Sequence, residues 1–339
     1  MERYEVETKK AIEYMLAVQS RVAVTTDMWT ADHQKKGYMA VTAHFIDESW
    51  KLRSILMRYI TLNSLIHVFS RFSYDLNFPF CAYCRFIYVP SPHTADVIAE
   101  QLHESLVEWN IDEKLMTVTV DNCTTNDKAI ELIVEKIGKK KLLCEGNKIH
   151  MRCCAHILNI IVKDGLDVMK SSIDNIRESV AYWIATAKRW EKFEEMAKFK
   201  KVKITRRLKL DCKTRWNSTF IMLDIALPYR AVFERAKSVD KQYVCLPSDE
   251  EWKFAMDVVD RLRLFYEITE LFSGTDYVTA NVYFPKICEI KMKMRQWTTS
   301  SNPIIKEMTE QMNLKFDKYW KDIQGLMGIA TLLDPRYKK

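Results

Sequence analysis

The strongest constraint on the fold is an abrupt change in the spacing of apolar residues along the chain. Arg21 to Thr30 (RVAVTTDMWT) and Tyr38 to Asp47 (YMAVTAHFID) are rich in β-branched residues, which suit a pleated, half-buried surface. Gln34-Lys35-Lys36-Gly37 between them suits a turn, so the pair reads as a hairpin. Lys51 to Ile60 (KLRSILMRYI) adds a third strand after a second turn at Asp47-Glu48-Ser49. Then the pattern switches. His93 to Trp109 is an amphipathic helix, Leu115 to Val120 (LMTVTV) a buried strand, and Thr125 to Ile137 a helix that Thr124 or Thr125 is placed to cap. Lys148 to Cys154 reads as a further strand, and from His156 to about Phe199 helical spacing takes over. It returns around Phe220 to Lys237, Glu250 to Phe272, Tyr283 to Trp297 and Ile305 to Gly325, punctuated by Pro228, Pro247, Gly274 and Pro285. This order predicts a mixed α/β sheet core followed by a largely helical region.

Charge narrows the choice of partner. Net charge is only +7 over 339 residues, but it is concentrated. Lys188, Arg189, Lys192, Lys198, Lys200, Lys201, Lys203, Arg206, Arg207, Lys209, Lys213 and Arg215 face only Glu191, Glu194, Glu195 and Asp211 in the same stretch. Phosphate backbones are the natural partner of such a stripe, with a solvated helix end as the plainer alternative. No apolar run reaches eighteen residues and Met1 to Lys10 is charged, so neither a membrane partner nor a signal segment is expected, and a soluble intracellular protein is. Nine scattered cysteines in such a chain read as reduced thiols. Fingerprints for dinucleotides, P-loops, nucleophile elbows and zinc proteases are absent, and only seven glycines are available for phosphate loops, so nucleotide cofactors are not expected.

Two carboxylates stand out. Asp27 lies inside the first apolar strand, and Asp121 directly follows LMTVTV, at the carboxyl end where open α/β sheets place ligands. A pair of this kind suits Mg²⁺ or Mn²⁺, hard ions that keep waters and substrate phosphates in their shells. The structural alternatives are a satisfied strand residue for Asp27 and a turn and cap at Asp121-Asn122. Cys81-Ala82-Tyr83-Cys84 has half the spacing of a zinc site but no second pair follows, so no structural zinc is assigned.

Four motifs occur in order: Thr25-Thr26-Asp27-Met28-Trp29-Thr30, then Val118-Thr119-Val120-Asp121-Asn122, then Arg152-Cys153-Cys154-Ala155-His156-Ile157-Leu158-Asn159, then Thr214-Arg215-Trp216-Asn217-Ser218-Thr219. Together they resemble the signature of hAT superfamily transposases, above all plant members with an N-terminal BED zinc finger. Leu332-Leu333-Asp334-Pro335-Arg336-Tyr337-Lys338 resembles the stretch leading to that family's dimerisation region. The resemblance implies an α/β, RNase H-like mixed sheet core followed by a largely helical insertion domain. Residues 1–20 would be a helical lead-in, 21–60 and 88–199 the core, and 200–339 the helical insertion domain, truncated before the dimerisation region.

By the same resemblance Asp27 and Asp121 are the first two of three catalytic, metal-binding carboxylates. Cys153 and His156 match a Cys-x-x-His motif near the active site, with buried core residues as the plainer reading. Arg215 and Trp216 match a motif whose tryptophan stacks on a flipped base, with packing as the alternative. Arg206, Arg207, Lys209 and Lys213 extend the expected DNA face. The family's third carboxylate, a glutamate beyond the helical insertion, has no match here, and neither does the BED finger. The expectation is therefore a nuclear, transposase-derived DNA-binding protein that is catalytically incomplete, with homo-oligomers reserved for a fuller form. The alternatives are an active transposase whose glutamate lies downstream, and a protein-interaction scaffold without DNA binding. Residues 61–87 (LNSLIHVFSRFSYDLNFPFCAYCRFI after Thr61) depart from the family pattern and read as a foreign insert, a translated intron or else a poorly packed loop.

Overall fold

The computed structural model describes residues 2–30, 37–58, 87–89, 93–168, 173–212, 215–274 and 277–338. They form two compact units, one ending at Cys153 and one beginning at Cys154, apart from a short crossing near residues 276–278.

The first unit opens with helix α1 (Glu2–Ala17), then strands β1 (Val22–Thr30), β2 (Gly37–Ile46), β3 (Leu52–Arg58) and β4 (Ile87–Val89). Helix α2 (Ala95–Glu108), strand β5 (Leu115–Val120), helix α3 (Thr124–Ile137) and strand β6 (His150–Arg152) follow. The sheet order is β3-β2-β1-β5-β6, with β4 also on β2. β1, β2 and β3 form the antiparallel meander expected from their alternation, whereas β5 and β6 join as parallel neighbours of β1 and β5. The mixed α/β architecture with an RNase H-like core is thus present.

Alternation assigns the faces. Along β2, Met39, Val41, Ala43 and Phe45 are buried while the residues between them are half-buried. They pack with Val22 and Val24 of β1, Val118 and Val120 of β5, and Leu102, Leu106 and Ile133 from α2 and α3. At the far end of α1, Lys114 Nζ donates to the carbonyls of Met15, Leu16 and Val18 at 3.1, 2.9 and 2.7 Å, satisfying acceptors that a helix end leaves unpaired. Helix α3 begins one residue earlier than expected. Its N-cap is Cys123, without a side-chain cap, so neither threonine plays that part.

The second unit is helical: α4 (Cys154–Asp167), α5 (Asp174–Ile184), α6 (Ala187–Phe199), α7 (Trp216–Ala226), α8 (Arg230–Val239), α9 (Asp249–Phe272), α10 (Ala280–Trp297) and α11 (Pro303–Leu333). The unit boundary falls after Cys153, so α4 to α6, read from sequence as part of the sheet domain to residue 199, count with the helices. The reason is packing: Ile161 of α4, Val180 and Trp183 of α5 and Phe193 of α6 share one core with Phe233, Trp252 and Phe265. Helix α9 starts with a capping box, in which Ser248 Oγ accepts from Glu251 N–H and Glu251 Oε2 accepts from Ser248 N–H.

Pro285, read from sequence as punctuation near the start of the Tyr283–Trp297 segment, sits a full turn inside α10, which begins at Ala280. Proline has no N–H for the Asn281 carbonyl one turn back. Thr331 of α11 supplies the missing donor, its hydroxyl lying 2.9 Å from that oxygen.

Candidate metal-binding edge and nucleic-acid face

In the sheet unit, Ala23 pairs with Thr117 and Thr25 with Thr119 across the parallel strands β1 and β5. Asp27 and Asp121 each lie two residues beyond Thr25 and Thr119, so strand alternation puts them on the same face, on strands that run about 4.8 Å apart. On the other side of β5, Thr119 pairs with Met151 and Val120 with Arg152, which brings Cys153 level with Asp121. The Cys153 N–H donates to the Val120 carbonyl at 3.0 Å. Three residues picked from separate motifs therefore lie level across three adjacent strands, Asp27 within β1 and Asp121 and Cys153 just past the ends of β5 and β6. His156 lies in the first turn of α4, in the helical unit.

The chain after Asp121 is held in place. Its carbonyl accepts from Cys123 N–H at 3.0 Å and from Asn126 Nδ2 at 3.1 Å. Asn122 Nδ2 donates to the Cys153 carbonyl at 3.4 Å, tying the ends of β5 and β6 together, while its Oδ1 is buried without a hydrogen-bond donor. Sequence reasoning treated Asn122 only as a turn residue. The two carboxylates are hard oxygen donors, the chemistry that Mg²⁺ and Mn²⁺ require. Among the described residues no group of three His, Cys, Asp or Glu side chains gathers as a metal cage. The opposite face of β6 is structural, since Arg152 Nη1 and His150 Nε2 reach Asp127 of α3 at 3.0 and 3.7 Å.

In the helical unit, the described residues between α6 and α7 have no regular secondary structure yet are fixed at three points. The Tyr229 hydroxyl accepts from the N–H groups of Thr205 and Arg206, both at 3.2 Å, and lies 2.7 Å from the Arg206 carbonyl. Leu208 is buried in the helical core. Asp211, with its side chain 1% exposed, receives Arg177 Nε and Nη2 at 2.9 and 3.0 Å and the Thr219 hydroxyl at 2.8 Å. Burial draws the Asp211 carboxyl's pKa upward, but the guanidinium fork and the hydroxyl outweigh it and leave it below the ordinary carboxylate value.

Along this segment Lys201, Lys203, Arg206, Arg207 and Lys209 are exposed. Arg206 is partly neutralised by Asp224 at 2.7 Å, an acid it shares with Arg263 at 3.1 Å. Arg207 lies over the Trp190 ring, 5.1 Å from its centroid. Arg215 is exposed at the N-cap of α7. Lys213 lies outside the described residues.

Trp216 departs from the sequence expectation. It is 4% exposed and packs with Phe220 in the helical core, so in this structure it offers no open ring face to a base. An apolar first residue of α7 is simply buried by the helices around it. The aromatic that the basic segment does expose is Phe199, 70% exposed at the end of α6, with Arg235 over its ring at 4.8 Å. Sequence reasoning missed it, although Phe199 lies directly between Lys198 and Lys200.

No helix among the described residues is long and apolar enough to cross a membrane. Cys123, Cys144, Cys245 and Cys288 carry free thiols.

Three family models cover most of the chain. The ZBED1 RNase-like domain matches residues 25–68 and 82–148, the ZBED1 RNase-like helical domain matches 151–261, and the hAT-like transposase RNase-H fold matches 281–339. The chain is 35% identical to an AC transposase of Zea mays over 100% of its own length and 39% of that protein. It is 29% identical to the zinc finger BED domain-containing protein RICESLEEPER 2 of Oryza sativa subsp. japonica, over 99% of the chain and 43% of that protein. It is 24% identical to DAYSLEEPER of Arabidopsis thaliana, over 99% and 44%. The chain thus spans about two fifths of the length of these relatives. The ordered motifs, the mixed sheet with its helical unit and these matches together place the chain in the hAT-like transposase family, of the plant BED-finger type, with an RNase H-like core.

Proposed function

We propose that this transposase-derived chain binds DNA through the exposed cations between α6 and α7 and acts in the nucleus, where that partner lies. The observation that carries the reading is the anchoring of this segment by Tyr229, Leu208 and Asp211. A mobile basic loop loses conformational entropy on binding phosphate, whereas an anchored one has lost much of it on folding. Salt dependence is the test. Affinity for branched or hairpin-ended DNA should fall steeply between 50 and 200 mM salt, by roughly 10³-fold if about six phosphates are contacted. Changing Arg206→Glu together with Arg207→Glu should weaken binding and flatten that slope. Salt-insensitive or absent binding would leave the protein-interaction scaffold as the better reading.

Asp27 and Asp121 would hold Mg²⁺ or Mn²⁺, whose chemistry is to polarise a phosphodiester and its attacking oxygen. With two carboxylates assigned, cutting by this chain alone is not expected. The shared edge of Asp27 and Asp121 favours a second reading, an active transposase in which a third carboxylate completes the site. Metal-dependent cleavage by a longer protein, lost on D27N or D121N, would establish it. Self-association belongs to that fuller form.

A further inference from the structure

We infer that the C-terminal corner of α6 is a stacking platform for an unpaired nucleotide, with Phe199 as the aromatic surface; this rests on the DNA-binding reading above. The corner is rigid. Lys201 N–H bonds to the Lys198 carbonyl at 3.0 Å and Val202 N–H to the Ala197 carbonyl at 2.9 Å, the two closing bonds of a Schellman cap. That cap needs its central residue in the left-handed region, normally glycine, but here Lys201 occupies it at φ 56°. Cations near a helix C-terminus favour the helix dipole, which accounts for Lys198 and Lys200. It accounts neither for a lysine where glycine is easier nor for a phenylalanine left 70% exposed among lysines. A base has a π-face whatever its sequence and its phosphate needs a cation, so an exposed ring with Arg235 over it and Lys198, Lys200 and Lys201 beside it in sequence fits one unstacked nucleotide.

The test uses single-stranded DNA carrying a 2-aminopurine, alongside duplex DNA of the same sequence. Wild type should quench the fluorophore. Phe199→Ala should abolish quenching and weaken single-strand binding about 5- to 100-fold with little effect on duplex, as loss of one stacked base predicts; Phe199→Trp should retain both. Lys201→Gly should raise or preserve the melting temperature while lowering the salt slope by about one. Unchanged single-strand binding and quenching in Phe199→Ala overturns the platform while leaving DNA binding intact. No binding of either DNA by wild type overturns both.

A separate observation concerns the sheet. β3 and β4 both pair antiparallel with the same edge of β2: Val41 faces Arg58, and two residues along, Met39 faces Ile87. An unbroken strand would advance two residues there, but the chain advances 29, an excess of 27. Ile60 and Ile87 are the same residue, so removing 60–86 or 61–87 gives one sequence, Arg58-Tyr59-Ile-Tyr88-Val89. Ile87, read from sequence as insert, occupies the ladder position that Ile60 would take. The domain family model also leaves 69–81 unmatched. We infer that β3 and β4 are one strand divided by an excisable 27-residue insertion, and that a shorter form of the protein carries it unbroken. The division lies beside the acidic edge, since Ala40 of β2 pairs with Asp27. Transcript reads should join Ile60 directly to Tyr88, and the chain lacking 61–87 should fold with a melting temperature at least as high as the longer one. Continuous coverage with no such junction, or a shorter chain that does not fold where the longer one does, overturns the inference.

Discussion

Asp27 and Asp121 stand on one face of adjacent parallel strands, each two residues beyond the Thr25–Thr119 pair. If they share a cation, D27N and D121N should each lower Mn²⁺ affinity about tenfold or more, or ~1.4 kcal/mol, with the double variant losing little beyond the larger single loss. Calorimetric titration of Mn²⁺ measures this. Independent, additive effects would place the carboxylates in separate sites.

Trp216 and Phe199 should behave in opposite ways. Trp216→Ala empties a buried site and should destabilise the helical unit by ~3–5 kcal/mol, read as a lower urea midpoint. Phe199→Ala removes an exposed ring and should change stability by no more than about 0.5 kcal/mol. A Trp216→Ala protein that is fully stable would contradict the packing described.

The Arg177–Asp211 pair is buried on the carboxylate side, with Asp211 1% exposed. Asp211→Asn should cost ~1.5–3 kcal/mol, because Arg177 loses its charge-assisted bonds to this carboxylate while keeping Asp174. The carboxyl's pKa is depressed on folding, so its contribution is fully present above the unfolded value near ~3.9 and is lost as pH falls below it. Urea unfolding between about pH 5 and pH 2 should show this loss in wild type and its attenuation in Asp211→Asn.

His44 joins three strands, its Nε2 3.0 Å from Thr25 Oγ1 and its Nδ1 2.8 Å from Ser54 Oγ. Burial lowers its pKa, and His150 is lowered by burial and by Arg152. Both take up a proton less readily when folded, so the unfolded chain binds more protons below ~6.5 and stability should fall as pH drops through that value. His44→Gln should flatten the decline between about pH 6.5 and 5. An unchanged pH profile in that variant would rule out His44 as a source.

Pro285 and Thr331 should show coupled energetics, because the threonine hydroxyl serves the carbonyl that proline leaves without a donor. Thr331→Val should cost ~1 kcal/mol, and less in a Pro285→Ala background, where an N–H returns to the Asn281 carbonyl. Equal costs in both backgrounds would disprove the substitution of donors. The measurement is a double-mutant cycle on urea midpoints.

Local chemistry made much of this legible. The β-branched runs of β1 and β2, the apolar LMTVTV of β5 and the 3.6-residue spacing of α9 announce their own secondary structure, because each signal lies within one element. Asp121 at a strand's carboxyl end was readable for the same reason. Breakers were less dependable: Pro285 was read as punctuation, and only a hydroxyl 46 residues away explains how the helix runs through it.

By itself, the sequence determined which segments are strands and helices, the order of the motifs, where positive charge gathers, and so the family. Tertiary structure alone decided that β5 lies beside β1 in a register aligning Asp27 with Asp121, that α4 to α6 join the helical unit, that β3 and β4 share one ladder edge, and that Trp216 is covered while Phe199 is exposed. The physical reason is that periodicity reports a residue's relation to its own helix or strand. Strand partners and ring exposure depend on groups distant in sequence, brought together when apolar surface is buried across the whole unit.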